Sequence, residues 1–153
     1  MSDGKNQWKP NVTVAAIVER DGTFLLVEEE TAEGILYNQP AGHLESGESL
    51  LDAVARETLE ETACRFTPTA LIGVYQYHQQ GSGMTYLRFA FTGSLSEREP
   101  GRKLDAGIVR TLWLPLAEIR ASRARHRSPL LLRCVEDYLA GRRYPLDLLY
   151  HHI

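Results

Sequence analysis

Residues 42–64 read GHLESGESLLDAVARETLEETAC. Leu51, Val54, Ala55 and Thr58 recur at i, i+3, i+4 and i+7, the spacing of one helical face turned to a core. A helix is therefore predicted over residues 48–62, preceded by Gly47 and capped by Ser46 or Ser49. Glu57, Glu60 and Glu61 fall together on a neighbouring face of that helix. Like charges at this spacing cost a helix a few tenths of a kcal/mol per pair, on the order of 0.3. They are tolerable if solvated, and useful if a cation sits among them. Carboxylate oxygens suit Mg²⁺ or Mn²⁺, and no Cys or His cluster is present to suit zinc. On residue chemistry alone, a solvated acidic face is the plainer reading.

Around this segment the chain alternates between short apolar runs and turn signals. Residues 12–18 are β-branched and apolar and read as a buried strand. Asp21-Gly22 is a turn, and residues 24–28 follow as a second strand forming a hairpin with the first. A short apolar stretch, 35–37, leads into residues 38–42, where Pro40 and Gly42 mark a loop. Strands are predicted over 71–78 and 85–92, joined by the loop 79–83. A polar loop covers 96–107, a strand 108–114, and a short helix 116–121. Ser128-Pro129 opens a final helix that stops near Gly141. Leu130, Leu131, Cys134, Val135 and Tyr138 face its core side. Strands and helices in this order argue for an α/β (α+β) fold, a mixed sheet with helices packed on it.

At 153 residues the chain has the length of one domain, with a core that needs no disulfide or structural metal. The domain is expected over 10–146, with tails at 1–9 and 147–153. Two cysteines, Cys64 and Cys134, exclude a disulfide scaffold and suit a reducing cytoplasm. The opening MSDGKNQWKPN has no apolar core, so no secretory signal is expected, and no run approaches membrane-spanning length. The net charge of −3 divides unevenly: residues 1–97 hold 14 acids and 6 Lys or Arg, residues 98–153 hold 6 acids and 11 Lys or Arg. The acidic part suits a cation and the basic part an anionic ligand, although complementary solvated surfaces read equally well. The basic run Arg123, Arg125, His126, Arg127 lacks interleaved aromatics, so no nucleic-acid polymer is expected as partner.

The spacing of the charged positions adds to this. Gly42, Glu48, Arg56, Glu57, Glu60 and Glu61 stand at intervals that chance would produce about once in 10⁷ start points. The pattern resembles the Nudix box, Gly-x5-Glu-x7-Arg-Glu-U-x-Glu-Glu-x-Gly-U, where U is a bulky aliphatic residue. Thr58, Ala63 and Cys64 depart from it without touching a carboxylate. The resemblance implies a loop–helix–loop on an α/β/α sandwich with a mixed sheet, and hydrolysis of nucleoside diphosphate derivatives with Mg²⁺ or Mn²⁺. It implies that Glu57, Glu60 and Glu61 are metal ligands and catalytic groups, with Glu57 preferred as the base. The backbone carbonyl of Ala41 matches a further metal ligand. Arg56 would orient Glu57 and pair with Glu48, and Gly42 would serve backbone conformation beside the metal. Relatives often draw an additional acid from the region of Asp105.

Further stretches, 8–15, 38–45, 87–89, 127–130 and 143–146, are similar to the NudJ-like phosphatase branch. That likeness implies release of inorganic phosphate from nucleoside tri- and diphosphates or from hydroxymethylpyrimidine pyrophosphate. Other substrates within the family are ADP-ribose and dinucleoside polyphosphates, and a different class is a nucleotide-binding regulator without turnover. The partner expected is a small phosphorylated molecule, with no membrane, the chain being a monomer or homodimer. Substrate selection is expected from strand residues near the 79–83 loop. Tyr86 and Arg88 share a face, and His78 lies close by. An arginine there can hold phosphate and an aromatic can stack on a base, although cross-strand polar pairing explains them as well.

Overall fold

The computed structural model describes residues 7–153. Its first strand, β1 (Asn11–Ala16), is buried on both faces from Val14 onward, where successive side chains enter different cores. Val14 and Ala16 join one cluster; Ala15 and, just past the strand, Ile17 join the other. A strand buried on both faces is a central strand. β1 lies between β5 (Ala41–His43), antiparallel, and β7 (Thr85–Leu95), parallel. The sheet is completed by β6 (Phe66–His78), in the order β5-β1-β7-β6. A second, antiparallel sheet is built on β3 (Thr23–Thr31), paired with β2 (Glu19–Arg20), β4 (Gly34–Asn38) and β8 (Ile108–Pro115).

The fold class is the one expected, and three local readings are corrected. The expected hairpin between 12–18 and 24–28 shrinks to Glu19–Arg20 against Thr23 and Phe24, across Asp21 and Gly22. β1 takes partners far along the chain because both its edges need a ladder. Of the loop 38–42, only Gln39 and Pro40 break the backbone pairing, and Ala41–His43 is strand. The sheet divides in two, one mixed and one antiparallel.

Helices cover both faces. α1 (Leu50–Thr62) packs its Ala53 and Val54 against Val14, Ala16, Leu25 and Phe91. α2 (Leu116–Ala121) and α3 (Leu130–Leu139) bring Ile119, Leu131, Cys134 and Val135 to the other cluster, with Phe24, Leu26 and Ile72. In α3, Leu131, Cys134 and Val135 are buried as read, and Tyr138 meets Phe24 edge-on at 5.6 Å. Leu146 and Leu149 also pack on the α1-side cluster, the latter beyond the domain end expected at 146. Among the described residues no helix is long and apolar enough to cross a membrane.

α1 begins later than expected. Ser49 is its cap, its hydroxyl accepting from the Asp52 N–H at 3.0 Å. Ser49→Ala is expected to cost about 1 kcal/mol, read as a lower midpoint in urea at unchanged m-value. The buried stripe is Ala53, Val54, Thr58, Glu61 and Thr62, rotated from the one predicted so that Leu51 and Ala55 are only half-buried. Thr58 fits a buried aliphatic position because its hydroxyl donates to the Val54 carbonyl at 2.7 Å. The helix ends on Ala63 in the left-handed conformation (φ 62°), where the Nudix box has glycine. That residue carries a strain of roughly 1–2 kcal/mol.

Candidate active site

The rotation of α1 has a direct effect on its carboxylates. Glu57 and Glu61, one turn apart, point to the buried side, while Glu60 remains partly solvated. Glu61 is held from the strand side: the Ala41 N–H donates to its Oε1 at 3.0 Å. Gly42, the next residue of β5, is set directly under Glu57. A Cβ at Gly42 would overlap the Glu57 carboxylate carbon and both its oxygens. Gly42 does not adopt the left-handed backbone. It is therefore glycine to leave space, which corrects the conformational role expected of it.

Arg56 organises the surrounding acids. Its Nε donates to Glu48 at 2.7 Å and its Nη2 to the same carboxylate at 3.1 Å, a two-pronged pair. Nη1 donates to Glu57 at 2.9 Å and to Glu60 at 3.2 Å. Nη2 also donates to the His43 carbonyl at 3.1 Å, tying the loop before α1 to the helix. The Arg56 hydrogen bonds hold Glu48 below the usual carboxylate range. Glu57 is pushed the other way, by burial first, with Arg56 opposing and Glu60 and Asp105 adding repulsion. Glu61 is pushed up to about 9, again by burial first, against the hydrogen bond from Ala41.

Asp105 completes the group. Its N–H donates to the Glu60 carbonyl at 2.9 Å, which fixes the polar loop against the end of α1. Carboxylate oxygens of Glu57, Glu60 and Asp105 all lie within 4.8 Å of one another. The tight trio thus contains Asp105 in place of the Glu61 of the sequence-implied set; Glu61 is the neighbour one turn along. Three hard oxygen donors, crowded and served by one arginine, form a donor set suited to a divalent cation of the Mg²⁺ type. The trio contains no imidazole or thiol, the donors zinc favours.

A cavity of about 420 Å³ opens beside this group, lined by Glu57 and Glu61 together with Ala41, Gly42, Glu29 and Glu45. The rest of its wall comes from the mixed sheet, the loop that leads into α3 and the first residue of that helix: Thr13, Tyr77, Tyr86, Arg88, Arg127 and Leu130 among others. Tyr86 and Arg88 alternate onto this face as expected from the strand period. His78 does not line the cavity. It follows Tyr77 by one residue and so turns to the opposite face, where its Nδ1 meets Thr85 at 3.2 Å.

Sequence reasoning missed Tyr77, Glu29, Asn38 and Gln39, and read Arg127 only as one member of a basic run, a candidate anion-binding rim that a solvated face explained better. Tyr77 was accessible from the hairpin, since it pairs directly with Tyr86, their rings 6.4 Å apart. Glu29 and Arg127 are joined at 2.6 Å across 98 positions of sequence, and no local signal announces that pair. The basic run is also tied down. Arg125 lies 4.1 Å over the Tyr37 ring and donates to its hydroxyl at 2.6 Å, so only Arg127 reaches the cavity.

Comparison with known proteins gives this geometry a family. The NUDIX domain model matches residues 8–134. The chain belongs to the Nudix family. Among Nudix proteins it is 39% identical to Phosphatase NudJ of Escherichia coli K12 over 142 residues, 93% of this chain and 92% of that one. A NUDIX hydrolase structure from Nitrosomonas europaea superposes with a TM-score of 0.91 at 54% identity, covering 94% of this chain and 98% of the other. The Nudix domain of Shewanella oneidensis NrtR, solved with ADP ribose, shares the fold at 19% identity (TM-score 0.69, 90% and 94% covered). The chain is a Nudix hydrolase, with an acidic group placed to take a divalent metal.

Proposed function

We propose that this Nudix hydrolase is a Mg²⁺-dependent phosphatase, with Mn²⁺ as substitute, that releases inorganic phosphate from nucleoside tri- and diphosphates or from hydroxymethylpyrimidine pyrophosphate. The observation that carries the reading is the position of Glu57, which belongs both to the acidic trio and to the cavity wall. The likeness to a phosphatase over nearly the whole chain supports the choice of reaction. Glu57, Glu60 and Asp105, with Glu61 and the Ala41 carbonyl nearby, would hold the metal. When bound, it supplies neutralisation of phosphoryl charge and a more acidic water.

The chain's own groups do the rest. Glu57, oriented by Arg56, takes a proton from the attacking water. The water oxygen bonds to phosphorus, the bridging P–O bond breaks, and the electron pair leaves on the bridging oxygen of the shortened substrate. Glu48 keeps Arg56 in place, and a planar ring of the substrate lies along Tyr77 and Tyr86. The two cysteines are free thiols, in keeping with a reducing cytoplasm.

The test is a substrate panel followed by phosphorus NMR in Mg²⁺: GTP, GDP, ADP-ribose, a diadenosine polyphosphate and hydroxymethylpyrimidine pyrophosphate. Inorganic phosphate as the product from the phosphate-terminated compounds is the expected result. Pyrophosphate plus monophosphate from GTP, or selective cleavage of ADP-ribose, would overturn the phosphatase reading.

A further inference from the structure

Arg88 is only 6% exposed, yet the partners of its guanidinium among the described residues are neutral. Nη1 donates to the Gln39 side-chain oxygen at 2.9 Å and lies 3.9 Å from the Cys134 sulfur. Nη2 donates to the Asn38 side-chain oxygen at 3.0 Å. Of the other buried ionisable side chains, Glu28 has Arg110 and Arg125, Asp137 has Arg133 and Arg142, and Glu61, on the wall of the same cavity, has the Ala41 N–H. A buried charge without a counter-charge is costly, and such groups are ordinarily paired.

The receptor around Arg88 is rigid. Gln39 is itself fixed, its amide nitrogen donating to the Leu131 carbonyl at 2.8 Å. The Asn38 oxygen accepts a second bond, from the Gln39 N–H at 3.0 Å. Both residues immediately precede Pro40 and Ala41, whose N–H grips Glu61, so the guanidinium is anchored to the same backbone that carries the acidic end of the cavity. On the sheet it stands two residues from Tyr86 on the same face.

We propose that Arg88, braced by Asn38 and Gln39, is the receptor for the terminal phosphate of the substrate, which supplies the missing negative charge. A guanidinium this deeply set is reached by an end group with free oxygens, whereas an internal phosphodiester carries a substituent on both sides. The site therefore selects phosphate-terminated substrates over diphosphates capped at both ends. This rests on the phosphatase reading for its substrate class, but anion binding by Arg88 can be measured without turnover.

The experiment compares wild type, Arg88→Met and Arg88→Lys. Thermal melts are recorded in EDTA with and without inorganic pyrophosphate, and kcat and KM are measured in Mg²⁺ for GDP and ADP-ribose. Pyrophosphate is expected to raise the wild-type midpoint by several degrees and leave Arg88→Met unmoved, with Arg88→Lys between them. Without ligand, Arg88→Met should melt within a few degrees of wild type, because the relief of an uncompensated charge offsets the donor lost by the Gln39 oxygen. For GDP, kcat/KM should fall about 100-fold in Arg88→Met, mostly through KM. An undiminished pyrophosphate shift in Arg88→Met overturns the proposal, as does a ligand-free midpoint lowered by many degrees in both variants, which marks a structural arginine. A wild type that binds pyrophosphate through Arg88 yet releases no phosphate leaves the receptor standing and removes the phosphatase reading. Normal phosphate release by Arg88→Met does the reverse.

Discussion

Glu57→Gln is expected to reduce kcat by roughly 10²–10⁴-fold, the usual contribution of a positioned general base. The amide keeps the size of the side chain and can still accept the bond from Arg56 that now measures 2.9 Å. It loses the proton-accepting role and the negative charge that would hold a cation. The fold should not suffer. The Glu57 side chain is 12% exposed and faces Glu60 and Asp105, so a neutral group there relieves repulsion. In EDTA the variant should melt at or above the wild-type midpoint. With Mg²⁺ added, the wild type should gain stability that the variant does not, as follows for any ligand that binds the folded state. Turnover at the wild-type rate would remove Glu57 from the chemistry.

Gly42→Ala is expected to be nearly as damaging while changing no charged group. The new methyl would occupy the space of the Glu57 carboxylate. The backbone cannot retreat easily, because Gly42 is paired with Val14 in the middle of a three-residue strand, and Val14 is fully buried. The side chain of Glu57 must move instead. A displacement of about 1 Å in a catalytic group can cost on the order of 100-fold in rate, and overpacking about 1–3 kcal/mol in stability. The measurements are kcat in Mg²⁺ and a urea melt of the same preparation. A variant with unchanged kcat would show that the carboxylate has room to spare and that the close approach is not needed.

The acidic end of the site was largely legible in the sequence because it is local. Arg56, Glu57, Glu60 and Glu61 lie on one helix, where period and spacing fix their neighbours, and Glu48 lies two turns away. Even there the sequence misjudged the rotation of the helix. Ala53 is small enough to suit either a surface or a close contact, and only β1 and β5 lying beneath it decide which. The opposite end was less legible. Tyr86 and Arg88 emerge from strand alternation, but the partners of Arg88 come from residues 49 and 50 positions away. The hairpin misread at 12–28 has the same origin. A turn dipeptide specifies that the chain reverses, and says nothing of which strand β1 will choose when both its faces are buried.

That alternation of β1 also sets how the molecule comes apart. Val14 and Ala16 belong to the cluster under α1, Ala15 and Ile17 to the cluster under α3. Neither layer can melt alone, since loosening either one frees the shared strand on which the other is built. Unfolding should therefore be a single cooperative event. Amide protons of β1 should exchange only with global opening, more slowly than those of the short strand β5 at its side. The carboxylates on α1 and the guanidinium on β7 are tied to opposite sides of that strand, so the spacing between the two ends of the cavity has the rigidity of the whole protein and not of either half.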